Sequence, residues 1–261
     1  MDLLLENVSL QGHDAQLISR RSGLGIARGV HRPRMPYNTA MITVHHLNNS
    51  RSQRILWLLE ELGVAYEVKR YERDPRTMLA PPALLAIHPL GKSPIIVDGA
   101  ATVAESGAVI EYLIDRYGGG RLIPPAGTPE RLRYTYWLHY AEGSAMPPLL
   151  LKLVFDRVAN SPAPWPISAV ARRIAGTVQS SFIGPQLKRH LDYMEAELAA
   201  HRWFAGEEFT AADVQMSFPL EAAASRAGLN SSRPHLTAFL ASIHSRDAYK
   251  RALERGGPYS F

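Results

Sequence analysis

Four short stretches of the 261-residue chain carry side chains whose types and spacing could do chemistry. Asn48-Asn49-Ser50-Arg51-Ser52 stands just before a helical pattern. Backbone N–H groups free at a helix start, with the helix dipole, favour an anion, and a hydroxyl there can donate to it. Ser50 can equally be a plain N-cap, with Gln53 at capping-box spacing. Ala104-Glu105-Ser106-Gly107 marks a second helix start. As a site, that helix terminus takes a carboxylate and Glu105 takes an ammonium, so together they hold an amino-acid head group. As structure, Ser106 is only the N-cap. His88-Pro89-Leu90-Gly91-Lys92-Ser93-Pro94-Ile95-Ile96 places a proline at the first position of a strand, where the Ser93–Pro94 bond can be cis or the segment an ordinary turn. Phe209-Thr210-Ala211-Ala212-Asp213-Val214 reads as a capping box with its hydrophobic staple, a structural device.

Other chemistries find no carrier. The chain has no cysteine, which excludes a disulfide scaffold, a CxxC redox centre and a cysteine nucleophile. His45 and His46 are adjacent, so in a strand they point to opposite faces and cannot share a metal. HExxH, GxSxG and Walker-type loops are absent, and Gly118-Gly119-Gly120 follows a helix, not a strand, so it reads as a linker.

These residues need elements to position them. Met41–Leu47 reads as a buried strand, 51–62 as a helix ended by Gly63, and Ala65–Tyr71 as a second strand. Pro75, Pro81 and Pro82 leave room only for a short, late helix. Pro94–Val97 and Thr102–Ala104 form a hairpin about Asp98-Gly99, and Ser106–Tyr117 has apolar residues at helical spacing. The order gives a β-α-β unit followed by an antiparallel pair, a small mixed sheet flanked by helices. Beyond Thr128-Pro129, a helix start, the pattern is helical only: to about Phe155 with a disturbance at Pro147-Pro148, then 168–200, 211–227 and 235–254.

Composition sets the outer limits. Hydrophobic residues are 46% and charged residues 20%, a globular balance, and no apolar run is long enough to cross a bilayer. A net charge of +5 is small and scattered, which argues against a nucleic-acid or membrane-surface partner. Residues 1–40 stand apart, with five arginines, three acids and many loop-formers, and are expected to be a flexible N-terminal extension ahead of a fold beginning near Met41.

The combination resembles the soluble glutathione transferases, and within them a bacterial serine-type member. Val44–Leu59 (VHHLNNSRSQRILWLL) resembles that family's first strand, catalytic loop and first helix. HPLGKSPI resembles the loop before its cis-proline, Glu105-Ser106 its paired acid and serine, and Thr210–Asp213 its helix-capping box. The resemblance implies a thioredoxin-like α/β domain with a mixed four-stranded sheet at 41–120, and an all-α domain at 128–261. It implies glutathione as co-substrate, with no metal, and an electrophilic small molecule as the second substrate. Ser50 then stands where serine-type members activate the thiol, with Asn48, Asn49 and Ser52 as rivals and Arg51 beside them. Ser93 pairs with the cysteinyl part through its backbone, Pro94 is the cis proline, and Glu105 and Ser106 hold the γ-glutamyl end. Lys92 faces the glycyl carboxylate. The second substrate lies against Tyr136, Trp137, Tyr140, Met146 and Leu150, residues that are equally explained as core. A cytoplasmic, detoxifying homodimer is implied, the alternatives being a glutathione-dependent disulfide reductase or peroxidase, or a non-catalytic interaction protein.

Overall fold

In the computed structural model the described residues are 41–257 and Tyr259, so the expectation for residues 1–40 lies outside them. Strand β1 (Ile42–Leu47) is rich in β-branched residues and buried on both faces, as a central strand must be. It pairs in parallel with β2 (Tyr66–Tyr71) and antiparallel with β3 (Ile95–Asp98), which turns through Gly99 (φ +59°) into β4 (Ala101–Ala104). The sheet order is β2-β1-β3-β4, the mixed four-stranded sheet of a thioredoxin-like domain.

Helix α1 (Ser52–Leu62) crosses from β1 to β2 and is buried almost all round, because β1 and the helices at Ser106–Tyr117, Ala211–Arg226 and Asp247–Gly256 all pack on it. Gly63 ends it at φ +66°, a left-handed turn that costs glycine nothing. Helix α2 (Ser106–Tyr117) buries the Val109, Ile110, Leu113 and Ile114 stripe.

The rest of the described chain is helical: α3 (Pro129–Tyr140), α4 (Met146–Ala159), α5 (Ile167–Val178), α6 (Gly184–Ala200), α7 (Ala211–Arg226), α8 (Pro234–Ser245) and α9 (Asp247–Gly256). Thr128 caps α3 as expected, its hydroxyl accepting from Arg131 N. The disturbance expected at Pro147-Pro148 falls earlier, as a wide π turn at Ala141–Ala145. A proline ring crowds the carbonyl four residues back, so the helix opens one turn ahead of the prolines themselves. The helix expected over 168–200 is interrupted in the same way, with a π turn at Gln179–Ile183 ahead of Gly184-Pro185. The one expected over 235–254 is two: Arg246 is extended (ψ 133°), held by Glu61 Oε1 at 2.5 Å and lying 3.9 Å over the Phe209 ring. The Thr210–Asp213 capping box forms as read. One main core runs from the sheet into the helices, so the two parts share their interior.

Candidate functional site

The loop after β1 is tied down from the sheet side. Asn48 N donates to Tyr71 O at 3.0 Å, and Asn48 Oδ1 accepts from Arg73 N at 2.9 Å. The Arg73 guanidinium donates to the carbonyls of Asn48, Asn49 and Met78. Asn49 takes the left-handed region (φ +47°) that asparagine tolerates better than most residues. Asn48 is therefore engaged in holding the loop.

Ser50 is buried, and its Oγ lies 2.8 Å from Ser52 Oγ and accepts from Ser52 N at 3.3 Å. The capping box read at Ser50 and Gln53 does not form. Arg51 occupies the N-cap position with no side-chain cap, Ser50 offers its carbonyl to Gln53 N, and the buried Gln53 amide pairs with nothing. Tertiary anchoring by Arg73 shifted the helix start by one residue and left the Ser50 hydroxyl out of the capping role. Ser52 is wholly buried, its Oγ 2.9 Å from His46 Nδ1, so it has no path to a bound molecule. His45 and His46 face opposite ways, as alternation requires: His45 Nδ1 meets Tyr71 OH at 2.8 Å. Burial first, then Arg70, pushes His46 down to about 4, so it is neutral at neutral pH.

Strand register brings the other two stretches to the same end of the sheet. His45 pairs with Ile95 and Ile95 with Ala104, so one step further along, Ser93-Pro94 comes opposite both the end of β1 and Glu105-Ser106. The Ser93–Pro94 bond is cis. Ser93 Oγ donates to His45 O at 2.9 Å and accepts from Leu47 N at 3.3 Å, extending the β1 ladder by a side chain where proline ends it. Glu105 occupies the N-cap position of α2, correcting the reading of Ser106 as the cap; Ser106 is the first helical residue. No side chain caps this helix, and Glu105 sits at φ +72°, a region costly for a residue with a Cβ. Glu105 is exposed with no ion pair among the described residues, and Lys92 is exposed beside Ser93 without one as well.

A contact unforeseen from sequence joins this edge to the helical part. Glu142, in the π turn, accepts from Arg51 Nε at 2.9 Å on both carboxylate oxygens and from Arg54, a wholly buried guanidinium that also donates to Gln215 O at 2.6 Å. Burial works to raise the Glu142 pKa, yet Arg54 and Arg51 hold it below the usual carboxylate range. Arg51 and Arg54 lie 5.0 and 5.3 Å from the Phe218 ring centre. Arg51 and Arg157 both act on Arg73, so the loop sits in a cationic field. An arginine directly ahead of the apolar run Ile55–Leu59 was the one sequence signal, since a charge carried into that buried helix needs a partner; Glu142 gave none.

The aromatic residues read on α3 separate. Tyr136 is half exposed and stacks on Tyr140, 5.5 Å between ring centres, and Tyr140 OH is 2.6 Å from His190 Nδ1. Trp137 is fully buried against Tyr193 and Phe204, a core position behind the other two. Met146 follows the Glu142 turn and is nearly buried, and Leu150, one turn on, is exposed. Among the described residues no group of three or more His, Cys, Asp or Glu side chains could hold a metal, and no helix is long and apolar enough to cross a membrane.

Residues 50–116 match the family model described as glutathione S-transferase, N-terminal domain, and residues 184–247 match that of the C-terminal domain. The chain is similar to glutathione S-transferase 3 of Schizosaccharomyces pombe, at 43% identity over 70% of this chain and 74% of that protein. It is similar to glutathione S-transferase 1 of Saccharomyces cerevisiae at 32% identity, over 82% of this chain and 95% of that one. A solved glutathione S-transferase from Actinobacillus pleuropneumoniae superposes with a TM-score of 0.70 at 34% identity, covering 83% of this chain and 93% of its own.

Proposed function

The chain belongs to the glutathione S-transferase family, and on that premise we propose that it is a serine-type member, as in bacteria, whose Ser50 hydroxyl keeps the thiol of bound glutathione ionised. It is a glutathione transferase by that membership. The observation that carries the reading is convergence by register. The loop after β1, the cis Ser93–Pro94 segment and the uncapped start of α2 meet at one end of the sheet.

Each part has a role in physical terms. The free N–H groups and Ser106 hydroxyl at the start of α2 take the γ-glutamyl carboxylate, and Glu105 takes its ammonium. The Ser93 backbone pairs with the cysteinyl residue as an added strand would. Lys92 answers the glycyl carboxylate. The sulfur then lies at the loop before α1, where a helix N-terminus, Arg51 and Arg73 favour negative charge and Ser50 donates to it. A free thiol has a pKa of about 8.5, and lowering it by about two units takes about 2.7 kcal/mol of differential interaction. The thiolate attacks an electrophilic carbon: a new S–C bond forms and the leaving group departs with its electron pair. Tyr136, Tyr140, Met146 and Leu150 are the second-substrate candidates, with Trp137 supporting them from behind. Residues 41–120 thus hold the tripeptide and 128–261 the electrophile, with 1–40 outside both roles. A cytoplasmic homodimer serving detoxification completes the proposal.

Immobilised glutathione is expected to retain both the wild-type chain and Ser50→Ala. Conjugation turnover of Ser50→Ala is expected to fall about a hundredfold, as when one preorganised donor is removed. Undiminished turnover would mean another group activates the thiol; a wild-type chain that passes through unretained would remove the reading.

A further inference from the structure

We propose that Ser52 and His46, neither of which can reach a ligand, are positioning residues for Ser50: they hold its oxygen in place so that its proton can turn to sulfur. This rests on the reading of Ser50 given above. Ser50 Oγ lies 2.8 Å from Ser52 Oγ and accepts from Ser52 N at 3.3 Å, and Ser52 Oγ lies 2.9 Å from His46 Nδ1. All three residues are buried, Ser52 completely. The result is an unbroken chain of hydrogen bonds running from the interior of β1 to the loop, with Ser50 at its outer end.

Each hydroxyl has a single proton, so the chain has a polarity. His46 also donates to the backbone of Gly256. The neutral ring has one proton, so with Nδ1 facing Ser52 that proton sits on Nε2, and Nδ1 accepts from Ser52 Oγ, which also faces Leu47 O at 3.4 Å. Ser52 N donates to Ser50 Oγ whichever way the Ser50 proton turns, so the oxygen stays fixed while its proton goes inward to Ser52 Oγ or outward to a thiolate. A buried chain can impose such an arrangement because each member would otherwise lose a hydrogen bond in a water-poor setting.

The surroundings keep His46 from titrating where the thiol does. Arg70 on β2 and Glu72 just beyond it are the charged groups acting on it, α1 presents Ser52 and Gln53, and α9 presents the backbone of Gly256. The ring is therefore neutral at the pH where the thiol ionises, and any change in the thiol's titration on altering His46 is an effect transmitted through the chain.

The test is a titration of the ultraviolet thiolate absorbance of bound glutathione in the wild type, Ser50→Ala, Ser52→Ala, Ser52→Thr, His46→Gln and the Ser50→Ala/Ser52→Ala double variant. Ser52→Ala and His46→Gln are expected to raise the thiol pKa by about one pH unit and lower kcat/KM about tenfold, with glutathione KM held. Ser52→Thr is expected to restore the wild-type titration. In the Ser50→Ala background, Ser52→Ala should change nothing further, because it acts only through Ser50. An unchanged titration in Ser52→Ala, or an equal effect with and without Ser50, would overturn the inference while leaving Ser50 itself intact. An unchanged titration in Ser50→Ala would instead defeat the reading beneath it.

Discussion

Ser93 makes, with one hydroxyl, the two hydrogen bonds to His45 O and Leu47 N that a longer β3 would make with its backbone. The ladder cannot continue through Pro94, which has no N–H, so the side chain preceding it completes the edge of β1. That leaves the Ser93 backbone as the group offered outward. His46 has a different use of burial. Unfolded, its imidazole titrates near 6.5; folded, burial and then Arg70 push it down to about 4. Between those values the unfolded chain binds a proton that the native state does not. Stability from this residue is therefore whole above pH 6.5 and drains as pH falls toward 4, by about 3 kcal/mol. In His46→Gln that part of the loss should vanish, which denaturant unfolding at neutral pH and near pH 4 would reveal. Equal acid sensitivity in the two proteins would refute the assignment. The buried pair with Glu142 shows why some of the site was illegible. Arg54 could be flagged as a charge at the edge of an apolar run, but its carboxylate lies 88 residues away and nothing local marks it.

At the scale of elements, α9 closes over α1 at a point where only glycine fits. A Cβ on Gly256 would come 2.5 Å from Gln53 Oε1, 2.8 Å from Leu56 Cδ1 and 3.3 Å from His46 Cε1. The Gln53 amide could swing aside; Leu56, fully buried, cannot. Gly256→Ala is expected to cost about 1–3 kcal/mol, as overpacking does, in urea denaturation. Wild-type stability in that variant would mean that the α1–α9 contact is loose. The strands, α1, α2 and the Thr210–Asp213 box were legible because each has a local cause: alternation, apolar spacing, or a cap with its matching acid. The cap residues of α1 and α2 were not. Each falls one residue away from the capping serine, because Arg73 anchors the first loop and the β3–β4 register fixes the second. Arg246 likewise breaks a continuous apolar pattern for a tertiary reason, its contact with Glu61.

For the whole molecule, the helical part exposes apolar side chains along two helices: Leu150, Val154 and Val158 on α4, and Ile167, Val170 and Ile174 on α5. Exposed apolar surface of that kind favours association, and the proposed homodimer should appear in sedimentation at twice the chain mass, with Val170→Glu/Ile174→Glu shifting it toward the monomer. A wild-type chain sedimenting as a monomer would contradict the dimer. The main core spans sheet and helices, so one interior supports both the edge proposed for the tripeptide and the wall proposed for the electrophile. The proposed function comes down to the charge on one sulfur atom. The most direct measurement is the pH titration of the bound glutathione thiol, followed by its own absorbance. The account requires a midpoint about two pH units below that of free glutathione in the wild type, returning most of the way in Ser50→Ala. A wild-type midpoint equal to that of free glutathione, or one that Ser50→Ala leaves in place, would contradict it.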